Sequence, residues 1–236
     1  MGTPEVWRTT PRLALNANSL SRTYAQGVTV TVGPKEQRRL QALEVNREHL
    51  LDAAEEVFGE KGFQDATIKE IAERAEFSVG AVYGIVSGKE DLLAQTMKRR
   101  AVELLAGMDD IAARADGGLD GLHRMAALQV EFFRVHPRFG RLWVRWAGPA
   151  GWTMAPASLG QVDADVEHAM RTQAGLIRRG QAAGEVRAGD PDVLARIFSG
   201  IIQAYQATDP ASVGDDGDER LALADLHALI EGAFAQ

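Results

Sequence analysis

TIKEIAERAEFSVGAVY, residues 67–83, is the stretch that decides the fold of this 236-residue chain. Thr67 is followed three positions later by Glu70, which is the spacing of a capping box at a helix start. Ser78 then precedes three small residues, which suit a second short helix with a serine cap. The pattern predicts two short helices joined by a tight turn.

Helical periodicity continues on both sides of this stretch. Before it, an apolar stripe from Leu50 to Phe58 predicts a helix that Gly62 ends. After it, apolar stripes recur to the end of the chain, and Asp190 before Pro191 marks another helix start. The sequence therefore predicts an all-α protein, with a three-helix N-terminal domain and a larger C-terminal helical domain.

Three segments are predicted along the chain. Over 28–32, valines alternate with threonines, which fits either a short strand or an extended tail. Because a lone strand is marginal in water, we predict a flexible N-terminal extension over 1–42. Residues 43–90 are assigned to the three-helix domain and residues 91–236 to the larger helical domain.

The charge distribution bears on partners. The chain carries 26 Lys plus Arg against 33 Asp plus Glu, a formal charge of −7. Residues 35–100 contain 11 basic and 13 acidic side chains, whereas 12 basic and 19 acidic ones follow residue 100. The acid lies mostly in the C-terminal part, so the total charge does not exclude nucleic acid as a partner of the N-terminal part. No apolar run has membrane-spanning length, and no membrane partner is expected.

Neither composition nor motifs indicate an enzyme. The absence of cysteine excludes disulfides and thiolate nucleophiles and is typical of a reducing, cytoplasmic setting. No nucleophile elbow and no HExxH motif occurs. Asp163 and Glu167 lie beside His168 at a spacing that admits a metal, but a solvated acidic stripe is the preferred interpretation. We therefore expect no enzymatic activity, no cofactor and no metal.

Two interpretations of residues 67–83 are open on pattern alone: a helix-turn-helix that enters a DNA major groove, and a plain corner between two helices. A resemblance favours the first. The stretch from about 48 to 93 resembles the DNA-binding domain of TetR-family (tetracycline-repressor-like) transcriptional regulators. The residues that carry the resemblance include Leu51, Ala54, Val57, Phe58, Gly62, Phe63, Thr67, Ile71, Ala72, Ser78, Gly80, Tyr83, Lys89 and Leu93.

The resemblance implies DNA-binding roles for eight residues. Residues 78–83 are expected to form the recognition helix, with its small residues facing base edges and its tyrosine reaching the backbone. Thr67 is expected to cap the preceding helix and Lys89 to contact a phosphate, contacts that orient the protein on the duplex. The predicted DNA-binding residues are Thr67, Lys69, Ser78, Val79, Gly80, Ala81, Tyr83 and Lys89.

The chain departs from the family pattern after Tyr83. Family members commonly have a bulky or polar residue, then His or Tyr, then an aromatic, where this chain has Gly84, Ile85 and Val86. Ile85 removes an expected phosphate contact, and Gly84 loosens the helix end by about 1 kcal/mol relative to Ala. Two rivals stay open: a helical small-molecule-binding protein whose motif no longer binds DNA, and a helical enzyme.

A homodimer is expected, because one recognition helix reads too few bases and such proteins bind pseudo-palindromic double-stranded DNA. The helix over 193–205 is apolar on more than one side, which fits a four-helix bundle with a two-fold mate. Burial inside one subunit is the alternative. The predicted dimerisation residues are Ile197, Phe198, Ile201, Tyr205 and Leu229.

A small-molecule effector is expected among the central helices, where its binding releases a repressor from DNA. Clustered aromatic residues mark the region, although the same residues suit a core. The sequence does not identify the ligand. The predicted effector-binding residues are Phe132, Phe133, Trp143, Trp146, Trp152 and Met170, with His123, Arg145 and Gln173 as polar anchors.

Overall fold

The structure is a computed structural model. It describes the backbone of residues 21–23, 29–31, 33–147, 160–214 and 219–236. The chain forms two compact units, Met1–Glu48 and His49–Gln236. Trp152, predicted to bind the effector, lies outside the described residues.

The N-terminal unit contains a small antiparallel hairpin. Strand β1 (Ser21–Thr23) pairs with β2 (Thr29–Thr31). The valine and threonine alternation thus corresponds to a strand that has a partner. Helix α1 (Pro34–Asp65) begins before residue 43, where the predicted extension ends.

The second unit is helical, which confirms the predicted fold class. Gly62 interrupts the helical backbone of α1 with φ 78° and ψ 172°, a conformation that favours glycine. Within the described ranges, no helix is both long and apolar enough to cross a membrane. The helices that follow α1 are α2 (Ile68–Arg74), α3 (Val79–Tyr83), α4 (Lys89–Arg114), α5 (Gly118–Val135), α6 (Pro137–Ala147), α7 (Gly160–Ala183), α8 (Pro191–Thr208), α9 (Pro210–Val213) and α10 (Leu223–Phe234).

The predicted start of α8 is confirmed in atomic detail. The Asp190 side chain accepts hydrogen bonds from the backbone N–H groups of Asp192 (2.8 Å) and Val193 (3.3 Å). Pro191 occupies the first turn, where its missing N–H is not needed. Local signals in the sequence therefore fix this helix end.

The main core lies among α4, α5, α7, α8 and α10. Helices α5 and α7 approach closely at Gly118, where an added Cβ would lie 2.3 Å from the Gly180 Cα. Fully or almost fully buried side chains of this core include Met108, Leu122, Met125, Val130, Ile177, Phe198, Ile202, Leu226, Ile230 and Phe234. This core positions the walls of the cavity described below.

Two predicted dimerisation residues belong to this core. Phe198 is fully buried and Tyr205 is 7% exposed within the single chain, so their side chains are not presented at its surface. Ile201 is partly buried. Ile197 and Leu229 are 48% and 58% exposed, and only these two extend clearly outward. When a helix is apolar on two faces, its sequence does not show which face packs against the core of the same chain.

Candidate functional site

The capping box at Thr67 is present. Thr67 Oγ1 accepts from the Glu70 N–H at 3.2 Å, and Glu70 Oε2 accepts from the Thr67 N–H at 3.1 Å. Lys61 Nζ donates to Glu70 Oε1 at 2.5 Å. The hydrogen bond from Lys61, and to a lesser extent the one from Thr67, lowers the pKa of Glu70. This arrangement fixes the start of α2 as predicted.

The turn between α2 and α3 is tight. Glu76 adopts φ 58°, and the Phe77 N–H donates to the Ala72 carbonyl at 2.8 Å, which closes the end of α2. Ser78 then caps α3 by accepting from the Ala81 N–H at 3.2 Å. The two predicted short helices and their turn are therefore confirmed.

Helix α3 presents one face to solvent and buries the other. Val82 is fully buried, whereas Val79 is 40% and Tyr83 is 57% exposed. Gly80 is also exposed, and a Cβ added there would meet no atom nearer than Ser78 Oγ at 4.0 Å. The exposed edge of α3 is slim and uncharged, which suits close approach to a DNA groove.

The four cations in residues 50–96 all have partners within the chain. Lys61 binds Glu70, and Lys69 lies 3.8 Å from Glu73. Arg74 binds both Glu56 (2.8 Å) and Glu60 (3.3 Å), and its guanidinium lowers the pKa of Glu60. Lys69 is the most exposed of these three, with 77% of its side chain accessible.

Lys89 has a structural role that differs from the predicted phosphate contact. Its Nζ donates to the carbonyl oxygens of Phe63 (2.8 Å), Gln64 (3.1 Å) and Ala66 (2.9 Å). The ammonium also lies 4.6 Å from the centre of the Phe63 ring. An ammonium has three N–H donors, so in this conformation all of them are used to join the start of α4 to the end of α1.

Helices α4 and α6 connect the helix-turn-helix to the C-terminal helices. Glu55 on α1 is 4% exposed and accepts from Arg99 (2.8 Å) and Arg100 (2.9 Å) on α4. On α6, Arg138 forms an ion pair with Glu56. Residues further along both α4 and α6 line the cavity, so these helices contact both sites.

A cavity of about 90 Å³ lies between α4, α5, α6, α7 and α8. Its walls combine apolar side chains with amide groups. Four of the predicted effector-binding residues line it: Phe133, Trp143, Met170 and Gln173. The other lining residues are Met97, Ala101, Leu104, Leu105, Met108, Gln129, Phe139, Asp165, Val166, Ala169, Ser199, Gln203 and Gln206.

The remaining described candidates lie elsewhere. Phe132 is fully buried against the rings of Phe133 and Phe139, and Trp146 packs beside Trp143 with ring centres 5.2 Å apart. Arg145 is exposed. The aromatic cluster is thus partly core and partly cavity wall.

His123 belongs to a different site. Its ring stacks on His227 with centres 5.0 Å apart, and its Nε2 lies 3.6 Å from Glu231. Burial and the neighbouring His227 lower the pKa of His123. His168 lies apart from both and bonds to Asp109 at 2.9 Å. His123, predicted as an effector anchor, therefore does not line this cavity.

Sequence reasoning missed the polar wall contributed by α8. Ser199, Gln203 and Gln206 are spaced by four and three residues, which places them on one face of an otherwise apolar helix. Ser199 Oγ donates to Gln173 Oε1 at 2.7 Å. Gln206 is 2% exposed, and its Nε2 has no hydrogen-bond partner in the described part of the chain. The signal was available as a polar stripe on an apolar helix.

Comparison with known proteins identifies the N-terminal motif. Residues 50–96 match the model of the family described as bacterial regulatory proteins, tetR family. This match confirms the resemblance inferred from residues 48–93. No curated protein matches the chain.

Solved structures share the fold. A ketosteroid transcriptional regulator, KstR2 of Mycobacterium tuberculosis, is 18% identical with a TM-score of 0.65, over 80% of this chain and 95% of that one. A TetR-like transcriptional regulator from Rhodococcus sp. RHA1 is 21% identical with a TM-score of 0.63, over 80% and 92% of the respective chains. AibR, solved with isovaleryl coenzyme A and operator DNA, is 16% identical with a TM-score of 0.66, over 80% and 98%. The helical architecture is therefore that of TetR-like regulators.

Proposed function

We propose that this protein is a sequence-specific DNA-binding transcriptional regulator whose affinity for DNA is controlled by a small molecule. The observation that carries the proposal is the slim, uncharged and exposed edge of α3, held by two side-chain caps in a segment that matches the tetR family. In such motifs the second helix enters the major groove. A structural neighbour solved with both an acyl coenzyme A and operator DNA supports the two-ligand scheme.

The regulator acts as a homodimer on a pseudo-palindromic operator with half-sites about 34–36 Å apart. The surface that supports this assembly comprises Val193 (44% exposed), Ile197 and Leu229. They lie on α8 and α10, two helices that pack against each other. Large apolar side chains exposed on neighbouring helices suit a two-fold interface.

The effector acts as an inducer that releases the protein from DNA. Filling the cavity changes the packing of α4 and α6, and both helices hold the DNA-binding motif through ion pairs with Glu55 and Glu56. Such contacts transmit a shift of either helix to α1. By linkage, an effector that weakens operator binding must itself bind less well to the operator complex.

The test is a mobility shift with the DNA that flanks the gene, comparing Val79→Asp with Val102→Asp. Both valines are exposed, at 40% and 59%, and both changes add one carboxylate. An Asp in the first turn of α3 favours the helix dipole, so Val79→Asp should fold. We expect it to lose at least tenfold in operator affinity, about 1.4 kcal/mol, while Val102→Asp retains wild-type affinity.

One alternative function has support, namely a helical ligand-binding protein that does not read DNA. The observation in its favour is that every cation of residues 50–96 is already paired. Retention that disappears above low salt and shows no sequence preference would favour this alternative. Equal retention of the two aspartate variants on flanking DNA would contradict α3 as the reading helix.

A further inference from the structure

The cavity contains a polar group that the protein itself leaves unused. Gln206 is 2% exposed, and its Nε2 has no acceptor among the residues that the structure describes. An unpaired buried amide donor is unfavourable by an amount comparable to a lost hydrogen bond. Nearby, Gln173 shows the opposite situation, since its Oε1 accepts from Ser199 at 2.7 Å. Gln206 therefore presents an open donor to whatever occupies the cavity.

The rest of the wall sets the chemistry of that occupant. Of the lining residues in the described part of the chain, none is Lys, Arg or His, and Asp165 is the charged one. Among these described lining residues an anion would meet one carboxylate and no cation, so this part of the wall disfavours carboxylate and phosphate ligands.

The remaining surface is apolar and partly aromatic. Phe133, Phe139 and Trp143 come from α5 and α6, and methionine and leucine side chains line the α4 wall. A volume of about 90 Å³ corresponds to roughly six to nine water-sized spheres at about 10–15 Å³ each. The space suits a small apolar molecule or the apolar end of a larger one.

We propose that the effector is an uncharged, largely apolar molecule bearing a carbonyl oxygen that accepts a hydrogen bond from Gln206 Nε2. This inference rests on the proposed effector control, because it assigns the ligand class of that same cavity. Gln206 supplies orientation and selectivity, whereas the aromatic and aliphatic walls supply most of the buried area.

The test uses four compounds that share a phenyl ring and a three-carbon chain: propiophenone, propylbenzene, 3-phenylpropanoate and 3-phenylpropylamine. Their binding to the full chain is measured by isothermal titration calorimetry at neutral pH. We expect propiophenone to bind at least tenfold more tightly than the carboxylate and the amine. Tighter binding of either ion, or no saturable binding of the ketone, would overturn the proposal.

Variants test the hydrogen bond itself. Gln206→Leu removes the amide and keeps an apolar side chain, so propiophenone affinity should fall by about two- to tenfold, the usual range for one hydrogen bond. Affinity for propylbenzene, which has no acceptor, should stay within about twofold. Gln181→Leu is the matched control, because Gln181 does not line the cavity and its amide donates to the carbonyl oxygens of Arg187 and Gly189. We expect it to leave ketone binding within about twofold.

Loss of ketone and hydrocarbon affinity together in Gln206→Leu would show that the residue shapes the cavity and does not donate to the ligand. Equal losses in the two glutamine variants would likewise remove Gln206 as the anchor. The outcome is separable from that of the mobility shift, since calorimetry needs no DNA. If the protein binds the ketone but does not bind the DNA that flanks its gene, only the proposed regulator function is overturned. If instead an anionic compound binds the protein and releases it from DNA, only the proposed ligand class is overturned.

Discussion

Two buried polar side chains near the end of α8 differ in their hydrogen bonding. The Asp209 carboxylate, which is fully buried, accepts from Arg134 Nε (2.9 Å), Ser212 Oγ (2.6 Å) and the Leu221 N–H (2.9 Å). Three residues earlier, Gln206 is almost equally buried, and its amide donor has no partner within the described ranges. The two side chains lie at nearly the same place in the fold, but they differ in how many hydrogen-bond partners they have.

This contrast separates a structural polar group from one available for binding. A buried carboxylate with several donors stabilises one arrangement of the elements around it, here α5, α9 and the segment before α10. A buried amide left open reduces stability until a ligand accepts from it. Substitutions in the two regions should therefore change stability in opposite directions.

The largest effect is expected from Arg134→Leu. Arg134 is 6% exposed at its side chain and bonds to Asp209 and to the Leu221 carbonyl. Its removal leaves a buried carboxylate without its counter-charge, and the free energy of unfolding should fall by about 3–5 kcal/mol. Urea denaturation measures the change.

The matched control for this prediction is Arg124→Leu on the same helix. Arg124 is exposed and lies 3.5 Å from Asp120 one turn earlier. Such a surface pair contributes at most about 1 kcal/mol, so Arg124→Leu should be nearly neutral. Similar losses in the two variants would contradict the assignment of Asp209 as a structural centre.

The pH dependence of stability gives the next test. Burial raises the pKa of Asp209, but the hydrogen bonds from Arg134, Ser212 and Leu221 outweigh it and hold the pKa below its ordinary value. The stabilisation is therefore present above the ordinary carboxyl pKa of about 3.9 and is lost as the pH falls through the lower folded value. In Arg134→Leu, acid protonates the unpaired carboxylate. Denaturation at a series of pH values should show the gap between this variant and wild type narrowing in acid, and a constant gap would contradict the assignment.

Gln206→Leu should act in the opposite direction. Replacing an unpaired buried amide with an apolar side chain is expected to raise the free energy of unfolding of the unliganded protein by about 1–3 kcal/mol. Gln181→Leu is the control, because its Nε2 donates to the carbonyl oxygens of Arg187 and Gly189, each at 2.9 Å. We expect the control to lose about 1 kcal/mol. A thermal or urea comparison in which both variants lose stability would show that Gln206 has a partner after all.

The smallest effect is expected from Ser199→Ala. It removes the donor to Gln173 and creates an unpaired buried acceptor beside the cavity, so stability should fall by about 1 kcal/mol. Thr208→Ala is the control, since Thr208 donates only to the Ala204 carbonyl at an exposed position and its loss should be close to neutral. The urea midpoints of the two variants are compared directly. An unchanged midpoint for Ser199→Ala would show that the hydrogen bond from Ser199 to Gln173 does not contribute to stability.

The helix-turn-helix and the start of α8 were predictable from the sequence because their signals are local. The Thr67 and Glu70 spacing, the Ser78 cap and the Pro191 helix start each depend on residues within one turn. The structure confirms all three. A pattern of this kind is complete within a few residues, so no knowledge of the tertiary structure is needed.

The cavity was only partly predictable because its walls come from five helices far apart in sequence. Aromatic clustering identified Phe133 and Trp143, but the same criterion included Phe132, which is core. Apolar periodicity likewise could not show that Phe198 faces the chain's own core while Ile197 faces outward. Lys89 was assigned from the resemblance, and its three carbonyl partners depend on how α1 ends.

Under the proposed function, the paired cations of residues 50–96 have a consequence for nonspecific binding to genomic DNA. Each phosphate contact made by a free Lys or Arg releases condensed counterions, and this release drives nonspecific binding. Where lysines and arginines already have partners, few counterions are exchanged, so the affinity of residues 50–96 for random DNA should be low and only shallowly dependent on salt. Genomic DNA outside the operator then binds only a small share of the protein. Operator occupancy should consequently follow the total amount of protein closely, with little of it held on competing sites.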